Sequence, residues 1–318
     1  MARVIPFLGF RILGAVITVM TGAFGVFMVM HAAPGDPALV VLGEQAPPAA
    51  IAAFDRLHHL DDPLLVQFWF WFSAALRGNF GRSLSISANT PIATLIGLRL
   101  PNTLFVGIYA VVLAVIVSLL MGTVAALRHG RIADTVATSA AVLGVSMPDF
   151  WLSYVLIFAL ALGAGWFPSY GFVSPRQSLA GALYSGFLPA VAISAPMAAV
   201  FARTLRASLL EIRHREFVTV ARSFGFSEPF VFAQYVMRNA LIPYVTVIGL
   251  QIRYLLGGVV VIERIFGIPG LGSLMVDGAF GRDYPVVQAC AITFLVIVLG
   301  VNLVVDIVCS ALDPRRSR

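Results

Sequence analysis

The sequence contains no lysine; all 21 of its basic residues are arginine. Charge of either sign is scarce, 11% of 318 residues, against about a quarter in an average soluble domain. Cysteine is almost absent. Cys290 and Cys309 both fall inside one apolar segment, which leaves no disulfide framework and no metal-type cysteine spacing, so packing accounts for them. The catalytic signatures are missing too. No GxxxxGK followed by Ser or Thr occurs, so the chain has no phosphate cradle of its own for ATP hydrolysis. There is no GxSxG, no HExxH and no pair of intramembrane aspartates. These absences favour transport or scaffolding over catalysis. The net charge of +6 does not argue for nucleic acid, because the arginines are not gathered into one binding surface.

Apolar residues are abundant instead, at 59%, the composition of a polytopic membrane protein. Residues 12–30 form an uncharged run long enough to cross a bilayer, which takes about 20 residues. That run is longer than the apolar core of a cleaved signal peptide. Further spans are expected at about 101–127, 135–165, 187–207, 240–261 and 288–310. The third is too long for one straight crossing and contains Pro148, so it is either one kinked span or two. Arginine placement decides between them. With six spans, thirteen of the 21 arginines lie on one side, Arg128, Arg131, Arg203, Arg206, Arg213, Arg215, Arg222 and Arg238 among them. The positive-inside rule therefore favours six transmembrane helices with both termini cytoplasmic.

Residues 31–99 are more polar and predict a helical extracytoplasmic domain between span one and a permeating core over 100–310; residues 311–318 form a tail. Within 31–99, LDDP (60–63), the short aromatic VQFWFWFSAAL (66–76) and GNFGRSLS (78–85) read as a turn, an interfacial helix and a second turn. His58, His59, Asp61 and Asp62 lie too close together in sequence to converge on a metal. The glycines and prolines of 263–287 predict a turn-rich, re-entrant stretch.

The most informative stretch is a polar island at 211–243, EIRHREFVTVARSFGFSEPFVFAQYVMRNALIP. Phe217, Val220, Ala221 and Phe224 recur at helical spacing. Gly225 ends that helix because it tolerates positive φ. Ser227 reads as an N-cap, with Pro229 near the first helical position. Two short helices joined by a sharp turn are predicted within 211–230, and such a device offers a surface to a soluble partner.

This block resembles the cytoplasmic coupling loop of ABC importer permeases. The family triplet Glu-Ala-Ala reads Thr219-Val220-Ala221 here, so only Ala221 and the later Gly225 match it. The longer form, ARSFG followed by RNALIP, is similar to the dipeptide, oligopeptide and nickel branch. GDP, LDxP and GxFGRS-like segments within 31–99 fit the same branch. So do ERIFGIPGLG, then GRDYPVVQ, then NLVVDIVCSALDPR, which look like the C-terminal third of the first permease subunit of peptide importers. The resemblance implies an all-α, type I importer transmembrane domain in the bacterial inner membrane. It implies a homologous second permease, two cytoplasmic ATPases that bind ATP and Mg, and an external binding protein received by 31–99 and 263–287. The chain itself would carry no cofactor. The implied substrate is a di- or oligopeptide, with nickel or glutathione as alternatives. Glu216, Ala221, Arg222 and Gly225 would couple the spans to the ATPase, Glu216 and Arg222 by holding the block in register or pairing with it.

Arg253 lies mid-span, where an unpaired charge is costly and a functional role is the default. It faces a translocation path or pairs with Glu263, Asp306 or a carbonyl. Gln251 and Asn302 line the same path or bond between helices. Gly257 and Gly258 allow a close helix approach. A stand-alone secondary transporter would instead show internal repeats and ion-coupling charges at the midplane; no convincing repeat is present.

Overall fold

The computed structural model describes residues 4–32, 37–43, 45–57 and 59–312. Among them the regular elements are helices, apart from one isolated bridge between Arg82 and Pro91. In chain order they are α1 (Val4–Ala32), α2 (Pro37–Leu42), α3 (Pro48–Leu57), α4 (Leu64–Leu76), α5 (Ile92–Leu127), α6 (Ile132–Ser146), α7 (Asp149–Leu156), α8 (Leu179–Ser185), α9 (Phe187–Arg213), α10 (Glu216–Ser223), α11 (Glu228–Val231), α12 (Arg238–Phe266), α13 (Leu271–Phe280) and α14 (Tyr284–Leu312). Wider π-helical turns continue α7 over Ile157–Gly163 and join α11 to α12 over Phe232–Met237. A lipid-exposed chain has no water to satisfy its amides, so helices, which pair N–H and C=O internally, are the solution available to these apolar runs.

Among the described residues, three helices are long and apolar enough to cross a membrane: Ile92–Leu127, Phe187–Arg213 and Tyr284–Val305. Two bent pairs raise the total to five if each is one span. One is α6 with Asp149–Gly163, whose axes differ by 107°. The expected kinked third span is therefore sharply broken. Pro148 disfavours the helical conformation of the residue before it, and Met147 is extended at φ −90°, ψ 123°. The other pair is Glu228–Ile252 with Gly257–Phe266, bent by 62°. The uncharged run at 12–30 lies within α1, and the 311–318 tail falls outside the described residues from 313 onward.

The chain forms two compact units. The first comprises residues 1–102 and 269–299, so the 31–99 segment is grouped with the first helix and with α13. Phe68 and Phe72 on the inner face of α4 meet Ala23 and Phe27 of α1, with Phe24 and Phe68 edge to face at 5.2 Å. Such aromatic pairs add attraction beyond the area they bury. Buried Gln67 donates to the carbonyls of Leu60 (2.9 Å) and Asp62 (2.7 Å), fastening the LDDP turn to α4. A second apolar cluster gathers Ile92, Ile96, Leu271, Leu274, Val286, Ala289 and Cys290. The turn at 83–86 is clasped by Asp283, whose Oδ2 accepts from the Ser83 hydroxyl (2.6 Å) and the amides of Leu84 and Ser85 (both 2.9 Å).

The second unit comprises residues 103–268 and 300–318. Its axis is α9, against which α6, α7 and α12 pack. Lipid tails are as apolar as leucine, so helices associate here through close packing of small residues. α9 buries Ala190, Ala192, Ala198, Ala199 and Ala202 together with Phe201, Leu205 and Leu209. Polar pairs reinforce this packing: the Thr103 hydroxyl donates to Glu263 (2.5 Å), and Ser118 and Tyr244 share a buried hydrogen bond of 2.7 Å.

Candidate functional site

The polar island folds as two short helices around a left-handed turn. α9 ends at Arg213, and α10 starts two residues after its cap His214. Gly225 sits at φ +81°, between α10 and α11. A Cβ at Gly225 would meet nothing within 4 Å, so what requires glycine is backbone conformation, not space. Pro229 occupies the first turn of α11, where its missing N–H costs nothing. Ser227 stands at the N-cap position with extended backbone, but its side chain makes no capping hydrogen bond, which corrects the reading of it as a hydroxyl cap.

The two faces of α10 differ. Val218 is fully buried and Ala221 nearly so, packed into the apolar core of the second unit. Phe217, Val220 and Phe224 are exposed, Phe224 at 76%. The periodicity that predicts one apolar stripe thus spans two roles. Ala221 anchors the helix inward, while three apolar neighbours remain uncovered. Beyond the turn, the rings of Phe226, Phe230 and Tyr235 cluster, with Phe226 and Phe230 centroids 5.2 Å apart. Exposed apolar patches rimmed by polar residues mark protein- or membrane-interaction sites.

The two charges expected to hold the block or meet the ATPase differ in their surroundings. Arg222 reaches across the Gly225 turn to Glu228, with Nε–Oε1 at 2.8 Å and a second contact at 3.3 Å. Arg222 therefore holds α10 and α11 at a fixed angle. Glu216 is exposed and has no ion-pair partner among the described residues, so it does not share in this register role. Arg215 pairs instead with Glu211, one turn back on α9. Behind the block lies a cavity of about 280 Å³, floored by Ala126, Leu127 and Leu209 and edged by Arg213, Arg222 and Glu228.

One support escapes a sequence reading. Asp134, at the start of α6, accepts two hydrogen bonds from Arg206 of α9, at 2.6 and 2.8 Å. It also bonds His129 (2.8 Å) and the amide of Gly130 (3.1 Å). This paired and hydrogen-bonded acid fixes the 128–131 loop to the helix that leads into α10. The residues are 72 positions apart in sequence, and no local spacing announces the pair.

Two short helices with a buried anchor, a glycine turn and an uncovered apolar face stand between α9 and α12. Comparisons with known proteins give the family. The model of the binding-protein-dependent transport system inner membrane component matches residues 114–318, and its N-terminal companion matches 4–106. The chain belongs to this permease family. It is 38% identical over 304 residues, 96% of each chain, to the glutathione transport system permease protein GsiC of Escherichia coli K12. It is 36% identical over the same length to GsiC of Salmonella choleraesuis. Solved neighbours show the fold. The inward-facing MetNI methionine ABC transporter matches with TM-score 0.56 and 16% identity, covering 69% of this chain and 97% of that one. An amino acid ABC transporter matches with TM-score 0.51 and 15% identity, covering 69% and 94%. The chain is thus a multi-pass inner-membrane permease subunit of an ABC importer. Such a permease works with a second permease, ATPases and a binding protein, and is not itself the ATPase.

Arg253 lies on α12, and its side chain, like that of Asp306, falls outside the described residues. Gln251 is half-buried on the same helix. Asn302 on α14 buries its Oδ1 with no hydrogen-bond partner among the described residues. The two glycines differ: Gly257 faces open space, whereas a Cβ on Gly258 would lie 2.7 Å from Asp149 Oδ2.

Proposed function

We propose that this permease imports short peptides, the tripeptide glutathione among them, delivered by an external binding protein and driven by two cytoplasmic ATPases that bind ATP and Mg. The observation that carries this reading is the coupling block: Phe217, Val220 and Phe224 uncovered on a helix whose other face is buried. An ATPase groove covers that face. Closure of the ATPase pair pushes α10–α11, and the Arg222–Glu228 clasp passes the push to α9 and α12, which flank the block in the chain. The peptide class is supported by the relatives named as glutathione permeases at 38% identity and by the peptide-branch motifs. Six crossings, with α1 as the first and both termini cytoplasmic, put the block and the 128–131 loop on the ATPase side. The 31–99 segment, held by the Asp283 clasp, receives the binding protein. Glu216 lies exposed at the start of α10 and meets the ATPase directly; Ala221 and Gly225 shape the block, and Gln251, Asn302 and Arg253 border the path.

The test is uptake and ATP hydrolysis by the complex co-expressed with its genomic neighbours, reconstituted with its binding protein, and offered glutathione, dipeptides and nickel in turn. Stimulation by peptides supports the reading. Stimulation by nickel alone overturns the substrate and keeps the architecture. If no ATPase co-purifies, the coupling argument fails.

A further inference from the structure

We infer that Asp149 receives the α-ammonium group of the peptide during passage, at a point where the broken α6–α7 pair meets the bent helix α12. The inference rests on the peptide reading above and assigns a residue to it. α6 ends at Ser146, Met147 and Pro148 run extended, and α7 begins at Asp149 with its axis turned through 107°. Fifteen helical residues rising 1.5 Å each carry the chain about 22 Å from the basic 128–131 loop. That is less than the roughly 30 Å of a hydrocarbon core, so the carboxylate lies at membrane depth. A charged group there is rare, and the default reading is functional.

The side chain is half-buried, and its carboxylate has no hydrogen-bond or ion-pair partner among the described residues. The one hydrogen bond at this residue uses its main chain, where the Ser153 hydroxyl donates to the carbonyl at 2.8 Å. So Asp149 pairs with no other side chain among the described residues, and as the first residue of α7 it stands where the helix's free amides favour an acid. Facing it is Gly258 of α12, which brings the carboxylate up against bare backbone: a Cβ there would come within 2.7 Å of Oδ2. Gly258 lies in the continuous helix α12, just past the bend of 62° between Glu228–Ile252 and Gly257–Phe266, and its neighbour Gly257 has nothing within 4 Å of a Cβ. Gly258 thus lets the acid approach the backbone of α12 closely. Interrupted membrane helices build substrate sites in transporters because backbone freed from the helix can face a ligand. An ionised carboxylate accepts only, and an ammonium group donates three hydrogen bonds. A peptide's free amino terminus matches this acceptor in chemistry.

The experiment uses the full complex with its binding protein in proteoliposomes. Two quantities are read for wild type, Asp149→Asn, Asp149→Glu and Gly258→Ala: peptide imported per ATP hydrolysed, and labelled peptide retained when vanadate traps the cycle. A lost charge-assisted hydrogen bond predicts about a tenfold fall in both for Asp149→Asn. Asp149→Glu recovers part of the loss. Gly258→Ala displaces the carboxylate and falls in the same direction. The nitrogen-15 signal of a peptide labelled at its amino terminus shifts between trapped wild type and trapped Asp149→Asn. Co-purification of the ATPases with each variant shows that the complex has assembled. Wild-type uptake with an unchanged ratio, retention and nitrogen signal in Asp149→Asn overturns the inference and leaves the peptide reading standing. Wild type that imports no peptide overturns both.

Discussion

Replacing Gly225 separates backbone strain from bulk at the coupling turn. The residue sits at φ +81°, and a methyl group there would touch nothing within 4 Å. Gly225→Ala therefore introduces no clash, only the cost of the left-handed conformation, about 1–2 kcal/mol. That cost lowers the population of the native turn by a factor of about 5–30 relative to alternatives. If only the native turn transmits the push, substrate-stimulated ATP hydrolysis falls by up to that factor while the ATPase still co-purifies. Gly225→Asn is the control, since asparagine enters the left-handed region more readily, and it retains more activity than alanine. Gly225→Trp adds a large side chain to the uncovered face and abolishes ATPase association. The assay is hydrolysis in proteoliposomes with loaded binding protein, read beside a pull-down. Alanine equal to wild type, with tryptophan still assembling, would falsify the lever account.

The other predictions are smaller. Arg222→Ala breaks a largely exposed pair, worth about 0.2–1 kcal/mol, so thermal stability barely moves while peptide imported per ATP falls; unchanged coupling would show that the Glu228 clasp is passive. Asp283→Asn weakens the grip on the amides of Leu84 and Ser85, and limited trypsin should then cut faster at Arg82; cleavage at the wild-type rate removes the clasp from the account. Tyr244→Phe deletes a hydrogen bond to Ser118, and within a membrane bundle the expected loss is about 0.6 kcal/mol, measured by denaturant titration in detergent; a loss several times larger would mean that Tyr244 does more than bond Ser118. Asp134→Asn weakens the link between the 128–131 loop and Arg206, and should lower Tm with uptake falling in step; an unchanged Tm would refute the staple.

Much of this permease was legible because membrane segments advertise themselves over many residues. The apolar runs at 101–127, 187–207 and 288–310 became α5, α9 and α14, since hydropathy summed over about 20 residues is a strong local signal. The coupling turn was legible for another reason: Gly225 and Pro229 act on their own backbone, so φ and helix phase follow from residue type. Phe217 and Val220 were legible only in part. Periodicity places them on α10 but does not say which face the rest of the unit covers. Ser227 misled, because a hydroxyl at the right position still has to turn toward an amide. The sequence by itself determined the membrane class, the helix–turn–helix within 211–230 and the absence of a phosphate-binding loop. These depend on composition and on neighbours along the chain. Only the tertiary structure decided that Arg222 pairs with Glu228 and not with Glu216, that Asp134 meets Arg206, that α6 and α7 break through 107°, and that Asp149 lies against Gly258 without a partner. Each of these depends on which surfaces meet in space, and contacts between residues far apart in the chain leave no periodic trace in one sequence.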